Sequence, residues 1–193
     1  MLLFFGFLTG LALVAPVGPV ALTLFGLGAE RGRRVAVAGA GGVVLADAVT
    51  VPVVLVGAGV IGGLNAGVVR GIEVVMAVAL LAIAVAKVLD AERARQALAG
   101  MRHPTRTLAG MTLLNPLSLV AWLGLSLALP EPIQAPMPMV LFGIGLVLAS
   151  AVWHTGLAVT SGTFGTRLGD GARRTLTRGS GVLMMGIAAV LVF

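Results

Sequence analysis

Gly10-Leu11-Ala12-Leu13-Val14-Ala15-Pro16-Val17-Gly18-Pro19-Val20 is the stretch on which the reading of this chain turns. It lies inside an apolar run from 2 to 28, long enough to cross the roughly 30 Å hydrocarbon core of a bilayer as a helix. Each proline removes a backbone donor and clashes with the preceding turn, and Gly18 loosens the backbone between them, so the helix should break there rather than bend. In hydrocarbon an unpaired carbonyl costs several kcal/mol, so broken backbone has to face protein or a water-filled cavity. The half-helix starting near Pro19 would direct free N–H groups and a positive dipole end into that cavity, an arrangement that suits a carboxylate. A packing kink is the structural alternative.

Five further apolar runs follow, at 35–61, 68–89, 108–129, 137–161 and 176–193. Charged residues make up 10% of the 193 positions and hydrophobic residues 59%, too few charges to clothe a soluble surface, which averages about 25% charged. Lipid must cover the remainder. The expected fold is therefore an all-α integral membrane protein of six transmembrane helices. With no cysteine, neither a disulfide framework nor a thiolate metal site is available. The first run lacks a charged leading segment, and Pro16 after Ala15 disfavours cleavage, so it reads as a mature helix rather than a signal peptide.

The net charge of +6 is accounted for by loops. Arg31, Arg33 and Arg34 follow the first run; Lys87 sits just inside the end of the third, and Arg93, Arg95, Arg102 and Arg106 follow it; Arg167, Arg173 and Arg174 precede the sixth, with Arg178 at its start. Of the 13 basic side chains, only Arg70 falls on the other side. By the positive-inside rule the crowded side is cytoplasmic and both termini lie outside. No basic amphipathic stripe appears, so no nucleic-acid partner is expected. Arg70 and Glu73 are spaced for an i,i+3 pair at the outer edge of the third run.

The segment 10–16 recurs at 110–116, where Gly10, Leu13 and Pro16 match Gly110, Leu113 and Pro116. Both copies open a three-helix half, and an odd helix count inserts the halves in opposite orientations. The expected organisation is one repeat over 1–89, a cytoplasmic linker over 90–107 and an inverted repeat over 108–193, with helices one and four broken at proline. Paired broken helices in inverted halves point to a transporter's binding site. Asn115 adds an amide beside the second break, unless it serves only to join helices.

Asp47 sits near the centre of the second run with no cation in that span. A mid-bilayer carboxylate costs about 2.5–3.5 kcal/mol on insertion scales, so it needs a partner, a cavity or a proton. It is a candidate proton carrier or anchor for a substrate ammonium, and Pro52 further along would free a carbonyl nearby. In the fifth run, Trp153 reads as an interface or packing aromatic or a site residue. His154, the one histidine within an apolar run, is a candidate for a proton relay with Asp47 or an ordinary hydrogen-bonding residue. The candidate site is thus Pro16, Gly18, Pro19, Asp47, Asn115, Pro116, Trp153 and His154, with no metal and no cofactor expected.

These residues also carry a family resemblance. Gly10-x-x-x-x-Ala15-Pro16-Val17-Gly18-Pro19-Val20 resembles the helix-one signature of the lysine exporter (LysE/RhtB) superfamily. Arg31-Gly32-Arg33 followed by Gly39 to Asp47 is similar to its second helix, and Thr112-Leu113-Leu114-Asn115-Pro116 to its fourth. Phe142-Gly143 leading to Ser150-Ala151-Val152-Trp153 is similar to the fifth, and Arg178-Gly179-Ser180-Gly181 with Gly186 to the sixth. The resemblance implies a bacterial inner-membrane exporter of amino acids or related metabolites, with inverted three-helix repeats, driven by the proton or membrane gradient. It leaves room for a homodimer. This chain departs from the pattern in placing His154 where relatives often have a second aromatic, and in lacking tyrosine. The competing readings are a cation exporter of the same superfamily and a membrane-embedded enzyme using Asp47 and His154 as acid and base.

On the expected topology, cysteines introduced at Asn65 or Gln134 label from outside intact cells, and cysteines at Ala99 or Gly171 label only after permeabilisation. Labelling at Ala99 in intact cells overturns the orientation.

Overall fold

The computed structural model describes residues 1–15, 18–61, 88–127 and 129–164, with scattered positions between 67 and 85 and between 169 and 185. Pro16 and most of the runs at 68–89 and 176–193 lie outside the described residues. Those described are helical, with no strand among them. In chain order the helices are α1 (Leu2–Val14), α2 (Pro19–Arg31), α3 (Arg33–Ile61), α4 (Ala91–Ala99), α5 (Pro104–Leu113), α6 (Pro116–Leu127), α7 (Glu131–Gln134) and α8 (Pro136–Phe164).

Two helices, α3 over Arg33–Gly57 and α8, are long and apolar enough to cross a bilayer, and α1 with α2 makes a third if that pair is one broken span. The axes of α1 and α2 differ by 78°. Gly18 caps α2 in an extended conformation and Pro19 takes its first position, where a missing N–H costs nothing and the fixed φ suits the helix. The run expected at 108–129 is also divided: α5 ends at Leu113, and α6 restarts with Pro116 in the same first-turn role. At 12 residues, α6 spans roughly 18 Å and is too short to cross alone. The segment expected as a linker contains a helix of its own. Asp90 caps α4 by accepting from the Arg93 amide at 2.9 Å, and Arg31 Nη1 donates to Ala99 O at 2.8 Å and Met101 O at 3.0 Å, tying the end of α4 to that of α2.

Helix α3 buries a stripe of small residues, Ala36, Ala40, Val43, Asp47, Thr50 and Val54, and exposes Leu45, Val49, Val53 and Val56. The spacing of three and four residues gives each set one helix face. The exposed face is the more uniformly apolar, as expected where the surroundings are lipid rather than water. Pro52 lies within α3 on the exposed side.

Helix α8 is the central post, packed against α1, α2 and α3. Its contact with α1 brings backbones together. A Cβ on Gly6 would strike the Phe142 carbonyl, and one on Gly145 would strike the backbone of Leu3, Gly6 and Phe7. Small residues that let helices approach in this way replace the hydrophobic drive that lipid does not supply. At the other end, Gly32 joins α2 to α3 with φ 79°, a conformation that glycine alone adopts freely, and Gly162 of α8 sits against it.

Gly145→Ala should therefore destabilise the protein by about 1–3 kcal/mol through overpacking. Gly156→Ala, whose Cβ meets nothing within 4 Å, should leave stability unchanged. Thermal unfolding in detergent checks both, and equal melting temperatures overturn the close-packing account.

Candidate translocation site

A cavity of about 250 Å³ opens where the broken helices meet α3 and α8. The end of α1 contributes Ala12, Leu13 and Val14, and the start of α2 contributes Gly18, Val20 and Ala21. Val43 and Asp47 enter from α3, Thr112 from α5, Asn115 from the second break, Ser118, Ala121 and Trp122 from α6, and His154 from α8. Among these residues Asp47 is the one carboxylate, and none is lysine or arginine.

At the first break the N–H groups of Val20 and Ala21 belong to the opening turn of α2, which a helix cannot satisfy internally. Pro19 has no N–H to offer, and the Leu22 amide is already bonded to Gly18 O at 3.0 Å. Val20 and Ala21 of that opening turn line the cavity. At the second break Asn115 precedes Pro116 and donates from Nδ2 to Ser118 Oγ at 2.8 Å, while its Oδ1 is buried without a hydrogen-bond partner. Thr112 turns its hydroxyl back to Leu108 O at 2.9 Å, which satisfies it within its own helix.

Asp47 is 3% exposed and accepts a hydrogen bond of 2.5 Å from Ser150 Oγ on α8. Ser150, fully buried, also lies 3.1 Å from His154 Nδ1, which in turn is 3.0 Å from the Ser150 carbonyl. A carbonyl accepts and never donates, so the tautomer with hydrogen on Nδ1 is the one that satisfies both contacts. Ser150 Oγ accepts from the ring and donates to Asp47. The Trp122 indole N–H approaches Asp47 from α6 without reaching hydrogen-bond geometry.

Of the residues expected from the sequence, the cavity brings together Gly18, Asp47, Asn115 and His154. Pro19 and Pro116 open α2 and α6, and neither Pro19 nor Trp153 is among the described lining residues. The aromatic beside Asp47 is Trp122 instead. Sequence reasoning also passed over Ser118 and Ser150. A signal existed for each: Ser118 and Trp122 follow Asn115 by three and seven residues, on one helix face, and Ser150 precedes His154 by four.

A cavity between broken apolar helices, with one buried acid in its lining, fits a membrane protein that moves small molecules. The family model for LysE type translocators matches residues 11–193, and the chain belongs to that family. No curated protein and no solved structure matches it.

With Trp153→Phe, Trp122 becomes the sole indole, and its fluorescence should respond when a transported amino acid is titrated. With Trp122→Phe the remaining Trp153 signal should not. A response confined to Trp153 overturns the placement of the cavity.

Proposed function

We propose that this protein exports an amino acid or a close relative across the bacterial cytoplasmic membrane, driven by the proton gradient. The observation that carries the reading is the meeting, in one cavity, of the buried Asp47 carboxylate and the opening turn of α2. A zwitterion needs both: donors for its carboxylate and an anion for its ammonium. Asp47 is then exchanged between two partners, the substrate ammonium and a proton, which is the minimal chemistry of antiport. Two inverted three-helix repeats with both termini outside give the site access from each side in turn.

Two observations favour this reading over its rivals. A cation exporter needs several hard or soft ligands together, and no group of three or more His, Cys, Asp or Glu residues gathers among the described residues. An enzyme using Asp47 and His154 as acid and base needs them to face a shared substrate atom. Here Ser150 stands between them, with its hydroxyl committed to the carboxylate.

Expression of the wild-type protein should protect cells against toxic amino acids or their analogues, and Asp47→Asn should abolish the protection with membrane insertion intact. An acid retained only for packing would be cheaper to bury as the amide. Wild-type protection by well-inserted Asp47→Asn protein therefore overturns the reading.

A further inference from the structure

Ser150 is the polar group that the binding of a zwitterion does not require. It sits behind the cavity wall, fully buried, and is not among the lining residues, yet it touches both titratable groups that are. Its position is set by packing on two sides. Ala149, next to it on α8, lies against Gly10 of α1, while Asp47 holds the hydroxyl from α3. One polarity satisfies all three contacts: with hydrogen on His154 Nδ1, that N–H is shared between the Ser150 carbonyl and Ser150 Oγ, and the Ser150 hydroxyl hydrogen points at Asp47 Oδ2. The other ring nitrogen, Nε2, is left as the basic atom of the neutral imidazole.

We infer that His154, Ser150 and Asp47 form a proton wire, through which a proton taken up from water at His154 reaches Asp47 and releases the substrate ammonium. This rests on the proton-driven amino-acid reading above. A hydronium ion in the cavity protonates Nε2. The Nδ1–H bond breaks as an O–H bond forms on Ser150, and the original Ser150 O–H bond breaks as one forms on Asp47 Oδ2. One proton enters at the ring and one arrives at the carboxylate; the serine is unchanged in composition, and the imidazole is neutral with its hydrogen now on Nε2. Loss of that hydrogen to water and return of one to Nδ1 reset the wire. Neutral Asp47 no longer pairs with an ammonium, so the substrate leaves.

Among the described residues, no other titratable group lines the cavity to compete for this proton. α1, α2, α5 and α6 contribute apolar side chains, hydroxyls, one amide and one indole to its lining, and among these described residues Asp47 and His154 are the titratable ones. Ser150 acts through its two neighbours and is a positioning residue, and its hydroxyl is the part the wire needs.

The test separates coupling from binding. In proteoliposomes, with radiolabelled leucine and threonine as probes, exchange at equal pH reports binding and turnover, and flux driven by a pH gradient reports coupling. Ser150→Ala should lower driven flux by at least about tenfold while exchange stays within about twofold, and Ser150→Thr, which keeps the hydroxyl, should restore driven flux. Undiminished driven flux in Ser150→Ala overturns the wire, and so does an equal fall in both fluxes, which marks a structural role. Wild-type exchange without proton-driven flux overturns the coupling and the wire together. Absence of exchange of both probes in the wild type overturns the amino-acid reading and leaves the wire to an independent measurement. That measurement is nitrogen NMR of histidine-labelled His103→Gln protein at a pH where His154 is neutral. Hydrogen on Nδ1 supports the wire, and hydrogen on Nε2 overturns it whatever the transport data show.

Discussion

Hydrocarbon offers neither donors nor acceptors, so every polar group freed by a helix break must be met inside the protein. The cavity follows from that constraint. Gly18 and Pro19 restart the chain as α2, and Asn115 and Pro116 restart it as α6, each time with proline at the first helical position. Residues at or beside both restarts, Gly18, Val20 and Ala21 at the first and Asn115 and Ser118 at the second, line the cavity. The same pressure places Asp47, whose carboxylate would be expensive anywhere on the lipid face of α3.

The enclosing packing is of a kind suited to lipid. α8 lies so close to α1 that the Phe142 carbonyl occupies the space of a Gly6 side chain, and Gly145 makes the reciprocal approach to Leu3 and Phe7. Contact of this closeness gains dispersion energy that lipid tails cannot match at a rougher surface. It also fixes the rotation of α8 about its axis. With that rotation set, Ser150 and His154 face α3 and the cavity, while Val152 and Thr155 face outward. The chemistry of the site is therefore coupled to glycines more than a helical turn away from it.

Asp47 joins these two themes. Its bond to Ser150 ties α3 to α8 at the level of the breaks, and the same carboxylate is exposed to whatever enters the cavity. Under the proposed function, that tie would change its hydrogen-bonding whenever a proton or an ammonium reaches the carboxylate. That makes it a natural point for binding to be felt by the helices around it.

Much of this was written in the order of residues. Hydropathy alone required a membrane protein, since 59% hydrophobic residues cannot be hidden in one soluble core. Two prolines flanking Gly18 required a break, and an unpaired acid amid small residues required Asp47 to point inward. Those conclusions depend on local backbone chemistry and on the solvent, both of which a sequence states directly. What the sequence did not decide was which distant side chains meet. Ser150 is an unremarked hydroxyl until α8 is turned by its contacts with α1, and only then does it stand between Asp47 and His154. Trp122 displaces Trp153 as the aromatic of the cavity for the same reason. The helix α4, within what reads as a linker, is held by Arg31 across 68 residues of chain. Contacts of that kind depend on helix rotation and approach, which are set by the fit of whole surfaces, and the tertiary structure alone fixes them.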